Sequence, residues 1–151
     1  MLVCAADSVR GELTWRTKTG VRARVSWRIS PFATGGDEAV KFYQSAFGAK
    51  EEARNLAEDG KRLMHSHLAI NGGALLLNDD FPEFRGGTPA PPPSGVTLHL
   101  EVPDADATWQ KAVAAGATVK FPLENQFWGA RYGQLEDPFG YTWSIGGPKK
   151  D

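Results

Sequence analysis

All three histidines of this chain lie in segments where apolar and polar residues alternate. His65 and His67 are two residues apart, and Glu101 follows His99 at the same spacing. Side chains at positions i and i+2 of a strand share one face, with Cα atoms roughly 6.5 Å apart, so two imidazoles can reach one metal ion. The same spacing is also consistent with hydrogen bonding to a ligand, or with a solvated polar sheet face that has no chemical role.

The pair of His99 and Glu101 is also suited to proton transfer. A carboxylate beside an imidazole orients the ring and stabilises its charged form, so the ring can act as a general base. A surface ion pair uses the same two residues, and the sequence leaves both interpretations open.

Aromatic residues are concentrated in the C-terminal part of the chain. They are Phe121, Phe127, Trp128, Tyr132 and Tyr141. Trp and Tyr rings stack on planar or cationic ligands, although packing in a core accounts for such rings equally well. Arg131, between two of them in sequence, is a candidate partner for an anion.

Two similar series of elements position these residues. Changes of hydrophobic period predict, in each series, a strand, a helix and three strands. The first series has strands at 25–33, 50–56, 61–70 and 74–78, and a helix with Asp37 as its N-cap that ends at Gly48. The second has strands at 96–102, 118–123, 131–136 and 141–145, and a helix from Asp104 or Asp106 to Gly116. The helix-end glycines, Gly48 and Gly116, are 68 residues apart, which indicates a repeat.

The fold class that follows is α+β, with two βαβββ repeats. Each helix covers one face of its sheet and leaves the other face concave and open, so two units can enclose a cavity. Alternation predicts that Thr97, His99 and Glu101 point into the cavity while their apolar neighbours meet the helix. The predicted helix-facing residues are Trp27, Ile29, Met64, Ser66, Leu68, Ile70, Val96, Leu98, Leu100, Val102, Trp143 and Ile145. The predicted ligand-binding cavity contains His65, His67, His99, Glu101, Trp128, Arg131, Tyr132 and Ser144.

Composition excludes several classes of protein. The 151 residues are 41% hydrophobic and carry a net charge of −1, so no basic surface for nucleic acid is expected. No apolar run approaches the roughly 20 residues of a membrane helix. A single cysteine, Cys4, excludes an internal disulfide and fits a cytoplasmic protein.

The chain divides into three parts by composition. Residues 1–24 carry a charge of +3 and are predicted to be a dispensable basic extension. Residues 25–147 form one domain, with repeats at about 25–80 and 95–147. The linker 81–94 joins the repeats, because its five prolines exclude a helix or a central strand. Residues 148–151 are a tail.

Three segments resemble the vicinal oxygen chelate superfamily, and within it the PhnB-like branch. They are AVKFYQSAFG at 39–48, MHSHLAINGG at 64–73 and WGARYGQLEDPFGYTW at 128–143. The superfamily includes glyoxalase I, extradiol dioxygenases and bleomycin-resistance proteins. The resemblance implies paired βαβββ units and a homodimer.

The same resemblance implies where a metal site would lie. Metal-dependent members place ligands on the opening strand of each half and four residues after the last turn glycine. These positions fall near Arg28 and on Thr97, Leu77 and Ser144. A cationic guanidinium, an alkyl side chain and neutral hydroxyls are poor ligands for a divalent ion, so we predict no metal there and no cofactor.

Three functions are consistent with these observations. The first is a metal-free dimer that binds a small, partly aromatic molecule, as bleomycin-resistance relatives do. The second is a metal-dependent lyase, isomerase or dioxygenase with a non-standard histidine site. The third is a structural or regulatory dimer without a ligand. The sequence does not decide whether the protein is an enzyme.

Overall fold

The computed structural model describes residues 26–32, by their backbone alone, and residues 35–151 in full. The predictions about residues 1–24 and about the side chains of Trp27, Arg28 and Ile29 lie outside this part. The elements are β1 Ser26–Phe32, α1 Gly36–Phe47, β2 Lys50–Leu56, β3 Leu63–Ile70, β4 Gly73–Asp79, β5 Thr97–Glu101, α2 Ala105–Ala114, β6 Thr118–Asn125, β7 Ala130–Glu136 and β8 Thr142–Pro148.

Two four-stranded sheets repeat one topology. The strand order is β1-β4-β3-β2 in the first sheet and β5-β8-β7-β6 in the second. In each sheet the opening strand pairs in parallel with the last strand, and the other pairs are antiparallel. The predicted α+β fold with two βαβββ repeats is therefore confirmed. No helix among the described residues has the length and apolar composition needed to span a membrane.

Helix ends follow local sequence signals in all but one case. Gly48 ends α1 in the left-handed conformation, as predicted, and Asp104 caps α2 through a hydrogen bond from the Ala107 backbone N–H. The prediction that Asp37 caps α1 is wrong, because that helix begins at Gly36. Its first N–H instead donates to the buried carboxylate of Asp79 at the end of β4, over 2.7 Å.

Short turns connect the antiparallel strands. Asn71 and Gly72, between β3 and β4, both have positive φ, as a type I′ hairpin turn requires. The turn from Asp137 to Gly140 is closed by a hydrogen bond from the Gly140 N–H to the Asp137 carbonyl. The proline-rich segment contains one 3₁₀ turn, Pro82–Arg85, and otherwise no regular structure.

The covered faces of both sheets share a single core with the helices. Leu68, Leu77, Leu135, Trp143 and Ile145 are buried there at 0–3% exposure, and three of them, Leu68, Trp143 and Ile145, were predicted to face a helix. Met64 and Val96, both predicted to face a helix, are 42% and 57% exposed. A register shift next to Leu56 places Leu63 rather than Met64 in the core, and Val96 precedes β5.

A buried carboxylate joins the two halves. Asp137 Oδ2 accepts hydrogen bonds from the Tyr43 hydroxyl of α1 at 2.7 Å and from Trp143 Nε1 at 2.8 Å. Asp137 Oδ1 accepts the backbone N–H groups of Phe139 and Tyr141, each at 2.9 Å. Asp137 is 4% exposed, so all four donors are satisfied inside the core.

Candidate functional site

Strand pairing in the second sheet collects polar residues on one face. His99 of β5 pairs with Ser144 of β8, and Ser144 pairs with Gln134 of β7. Leu98, Leu100, Leu135, Trp143 and Ile145 alternate with these residues and occupy the opposite face, in the core. We use the term open face for the surface that carries His99, Glu101, Tyr132, Gln134 and Ser144.

His99 is held at both ring nitrogens. Its Nδ1 lies 2.8 Å from the Ser144 hydroxyl, and its Nε2 lies 3.2 Å from Glu101 Oε2. Because an ionised carboxylate only accepts, the neutral ring carries its proton on Nε2 and accepts the Ser144 hydroxyl hydrogen at Nδ1. Ser144 is 2% exposed, whereas the side chains of His99 and Glu101 are 48% and 66% exposed. The buried serine therefore orients a ring whose outer edge is accessible.

Gly146 makes room for this pair. A Cβ atom added there would lie 2.5 Å from Glu101 Oε2 and 2.8 Å from His99 Cε1. The residue does not have the positive φ that favours glycine, so the reason for glycine is the space above it. The absence of a side chain at Gly146 lets His99 and Glu101 lie against the sheet.

Aromatic side chains extend from His99 to the edge of the sheet. The rings of His99 and Tyr132 are stacked with centroids 6.3 Å apart, and Tyr132 contacts Trp128 edge-to-face at 5.9 Å. Trp128 in turn contacts Phe127 at 4.9 Å, and Phe121 lies 6.5 Å from Tyr132. Phe127, Trp128 and Phe121 are 97%, 54% and 44% exposed, so a planar group can stack on them.

The structure corrects the predicted place of Arg131 and decides the role of Tyr141. Arg131 does not belong to the open face, because its guanidinium donates to both carboxylate oxygens of Asp106 on α2, at 2.7 and 2.8 Å. The guanidinium also holds the pKa of Asp106 below its usual value. Tyr141 lies in the core at 8% exposure, which is the packing role that the sequence left open.

His65 and His67 are on the other sheet. Both are half-buried on β3, where they alternate with the buried residues Ser66, Leu68 and Ile70. The face that they share is therefore the one predicted. Among the described residues of one chain, no group of three or more His, Cys, Asp or Glu side chains is arranged to hold a metal ion. The histidine site considered from the sequence is not assembled within those residues.

The metal positions implied by the superfamily also fail a test of donor chemistry. Thr97 is exposed on β5, and the Ser144 hydroxyl is engaged by His99. Leu77, one of the positions where the resemblance places a ligand, is fully buried in the core, and Leu76 lies on the opposite face of β4. Neither leucine has a donor atom, and neutral hydroxyls bind divalent ions weakly. These residues do not fit the family's metal.

The halves meet next to His99. Asn71 Nδ2 of the hairpin turn in the first half donates to the Glu101 carbonyl oxygen at 2.5 Å. A cavity of about 110 Å³ lies at this junction and is lined by Ile70, Asn71, Gly73, Ala74, Leu75, Leu98, His99, Leu100 and Trp143. This volume is smaller than the roughly 300 Å³ typical of a ligand pocket. A second cavity, of about 310 Å³, lies between α2 and the β6–β7 pair and is lined by Asp106, Trp109, Gln110, Val119, Pro122, Leu123 and Arg131.

The sequence prediction missed two residues of the open face, Gln134 and Gly146. Gln134 donates from Nε2 to the Tyr132 hydroxyl at 2.8 Å, which leaves the hydroxyl hydrogen available to a ligand. Its alternation with Tyr132 in a predicted strand was a sufficient signal. The role of Gly146 depends on side chains from a neighbouring strand, so no local signal reveals it.

Comparison with known proteins supports a family assignment. The protein Rv0887c of Mycobacterium tuberculosis is 49% identical over 129 residues, which cover 82% of this chain and 75% of the relative. The structure of PA1353 from Pseudomonas aeruginosa aligns with a TM-score of 0.68 and 24% identity, over 85% of this chain and 99% of the other. TnmS3, an antibiotic binding protein from Streptomyces sp. CB03234, aligns with a TM-score of 0.60 and 23% identity, over 85% and 98%.

A family model matches residues 32–145, which run from the last residue of β1 into β8 and include the open face. With the repeated βαβββ topology, this match shows that the chain belongs to the Glyoxalase/Bleomycin resistance protein/Dioxygenase superfamily.

Proposed function

We propose that this protein binds a small, partly aromatic molecule on its open face, without the metal site of the superfamily's enzymes. The observation that carries the proposal is the exposed series of rings from Phe127 through Trp128 to Tyr132, which ends at the His99 imidazole. Exposed aromatic clusters are uncommon on monomers and mark binding surfaces. The hydrogen-bonding groups of Glu101 and Tyr132 next to the rings would orient the ligand.

A small-molecule binding function is described for a protein with this fold. TnmS3 is described as an antibiotic binding protein, at an identity that shows a common fold alone. Fold does not determine function, so the argument rests on the side chains of this chain. We further propose that the chain belongs to the PhnB-like branch and that it acts in the cytoplasm.

We propose that the protein acts as a homodimer. In a single chain the open face is accessible, and Phe127 is 97% exposed. A second copy would cover this apolar edge and complete a cavity over the open face. Sedimentation equilibrium should give twice the chain mass at micromolar concentration, and Phe127→Ser should shift the equilibrium toward the monomer. A monomer for the unmodified chain would contradict the dimer.

Binding can be tested with acridine, a neutral planar fluorophore. Trp128→Ala should weaken acridine binding by roughly threefold to tenfold, because edge or face contact with an aromatic ring contributes about 0.5–1.5 kcal/mol. Fluorescence titration measures the dissociation constant. Phe84→Ala is the matched control, since Phe84 is 73% exposed but lies on the linker and stacks on Phe81. Equal losses in both variants, or none, would contradict a site at Trp128.

A metal-assisted reaction is the second candidate, because His99 Nε2 and Glu101 Oε2 are 3.2 Å apart and both are accessible. Two ligands are insufficient for a stable site, so His65 and His67 would have to come from a second copy. Metal analysis of untagged protein and of the His65→Ala/His67→Ala variant separates the candidates. A stoichiometric ion that is lost in the variant would favour the enzyme.

A further inference from the structure

The open face has an excess of negative charge. Glu101 pairs across β8 with Gly146, Gly146 pairs with Tyr132, and Tyr132 pairs with Glu124 of β6, so the two glutamates lie in one row. The Lys120 ammonium at the same edge is already paired with Glu136, at 2.9 Å. Among the described residues of this row, no lysine or arginine side chain pairs with Glu101, whose only ion-pair contact is His99.

Glu101 also has unused hydrogen-bonding capacity. Its Oε2 contacts His99 Nε2, but its Oε1 has no hydrogen-bond partner among the described residues. His99 has no donor to spare, because Nδ1 accepts from buried Ser144 and the single ring hydrogen is directed to Glu101. The carboxylate is therefore an exposed acceptor whose remaining lone pairs are available to a donor from outside the sheet.

The position of the carboxylate is fixed relative to the rings. Gly146 allows Glu101 and His99 to lie together on the sheet, and the His99 ring stacks on Tyr132 at 6.3 Å. The Trp128 and Tyr132 rings meet edge-to-face, so a planar ligand that stacks on one of them contacts the edge of the other, in the row of the sheet that contains Glu101. Positive charge in that ligand would be favoured twice, by the carboxylate and by the electron-rich ring faces.

We propose that the open face selects planar aromatic cations that carry N–H donors, such as protonated aromatic amines or amidines, and that Glu101 is the residue that determines this specificity. The inference rests on the proposed binding function and adds the charge class of the ligand. Trp128 and Tyr132 supply the stacking surface, and Glu101 supplies the ion pair and accepts the N–H hydrogen bond.

Proflavine and acridine test the inference, because both are planar three-ring molecules while only proflavine is a cation with N–H donors near neutral pH. Proflavine should bind roughly tenfold more tightly than acridine, as expected of a charge-assisted hydrogen bond. Glu101→Gln removes the charge and keeps the shape. It should weaken proflavine binding by about tenfold and leave acridine binding unchanged.

Glu58→Gln is the matched control, since it removes one exposed negative charge from the turn between β2 and β3. It should change neither dissociation constant. If the two dyes bind equally, or Glu101→Gln weakens both by the same factor, the selectivity for cations is wrong while the binding function stands. If neither dye binds the unmodified protein, the proposed function itself fails. Equal losses in Glu101→Gln and Glu58→Gln would show long-range attraction instead of a specific contact, which also overturns the inference.

Discussion

Replacing Asp137 with asparagine is expected to lower the free energy of unfolding by roughly 2–4 kcal/mol. The two Asp137 oxygens accept four hydrogen bonds in the core, from the Tyr43 hydroxyl, Trp143 Nε1 and the backbone N–H groups of Phe139 and Tyr141. An asparagine amide has only one acceptor oxygen. If it keeps the two backbone bonds, its NH₂ group faces Trp143 Nε1, which can only donate.

Urea denaturation measures the loss. Tyr43→Phe removes one donor without creating a conflict and should cost about 1 kcal/mol. Asp104→Asn is the matched control, because asparagine and aspartate are nearly equivalent N-caps and Asp104 is exposed. An Asp137→Asn variant as stable as Asp104→Asn would show that the buried carboxylate does not join the halves.

The same comparison has a defined pH dependence. Burial raises the pKa of Asp137 above its ordinary value, although its four hydrogen bonds act in the opposite direction. A carboxyl group with a raised pKa in the folded state contributes stability that declines as pH rises from the unfolded value, about 3.9, through the folded value. The unmodified protein should therefore lose part of its stability advantage over Asp137→Asn as the pH rises through that interval.

Gly133→Ala is expected to destabilise the protein by roughly 1–3 kcal/mol through overpacking. A Cβ atom at this position would lie 2.6 Å from Trp109 Cζ3 and 2.8 and 2.9 Å from the Leu123 Cα and N atoms. Gly133 is on the covered face of β7, next to a register irregularity between β6 and β7. The backbone of a neighbouring strand cannot move aside as a flexible side chain can.

A second substitution separates the two sources of crowding. Trp109→Leu removes the ring but leaves the Leu123 backbone in place. Gly133→Ala should therefore cost less stability in the Trp109→Leu background than in the unmodified protein, but it should still cost some. Thermal unfolding of the four proteins gives the coupling energy. A Gly133→Ala variant with an unchanged midpoint of thermal unfolding would contradict the close packing of α2 and β6 on β7.

Several features of the site could be predicted from local pattern. Alternation correctly placed His99 and Glu101 opposite Leu98 and Leu100, because successive strand residues project to opposite faces whatever the rest of the chain does. The same rule failed at Met64, where a register irregularity on β3 interrupts the alternation. Arg131 was predicted to join the site from its aromatic neighbours instead of from alternation; it follows the rule, projects opposite to Tyr132 and pairs with Asp106 on the adjacent helix.

The sequence by itself determined the element order, the two repeats and the polar face of β5, because periodicity and turn residues act over a few neighbours. Only the tertiary structure decided that Ser144, forty-five positions away, would hold His99, and that Gly146 would leave room for Glu101. Those contacts depend on which strands pair and in what register. Strand pairing is determined by burial of the whole core, which includes apolar residues from both halves.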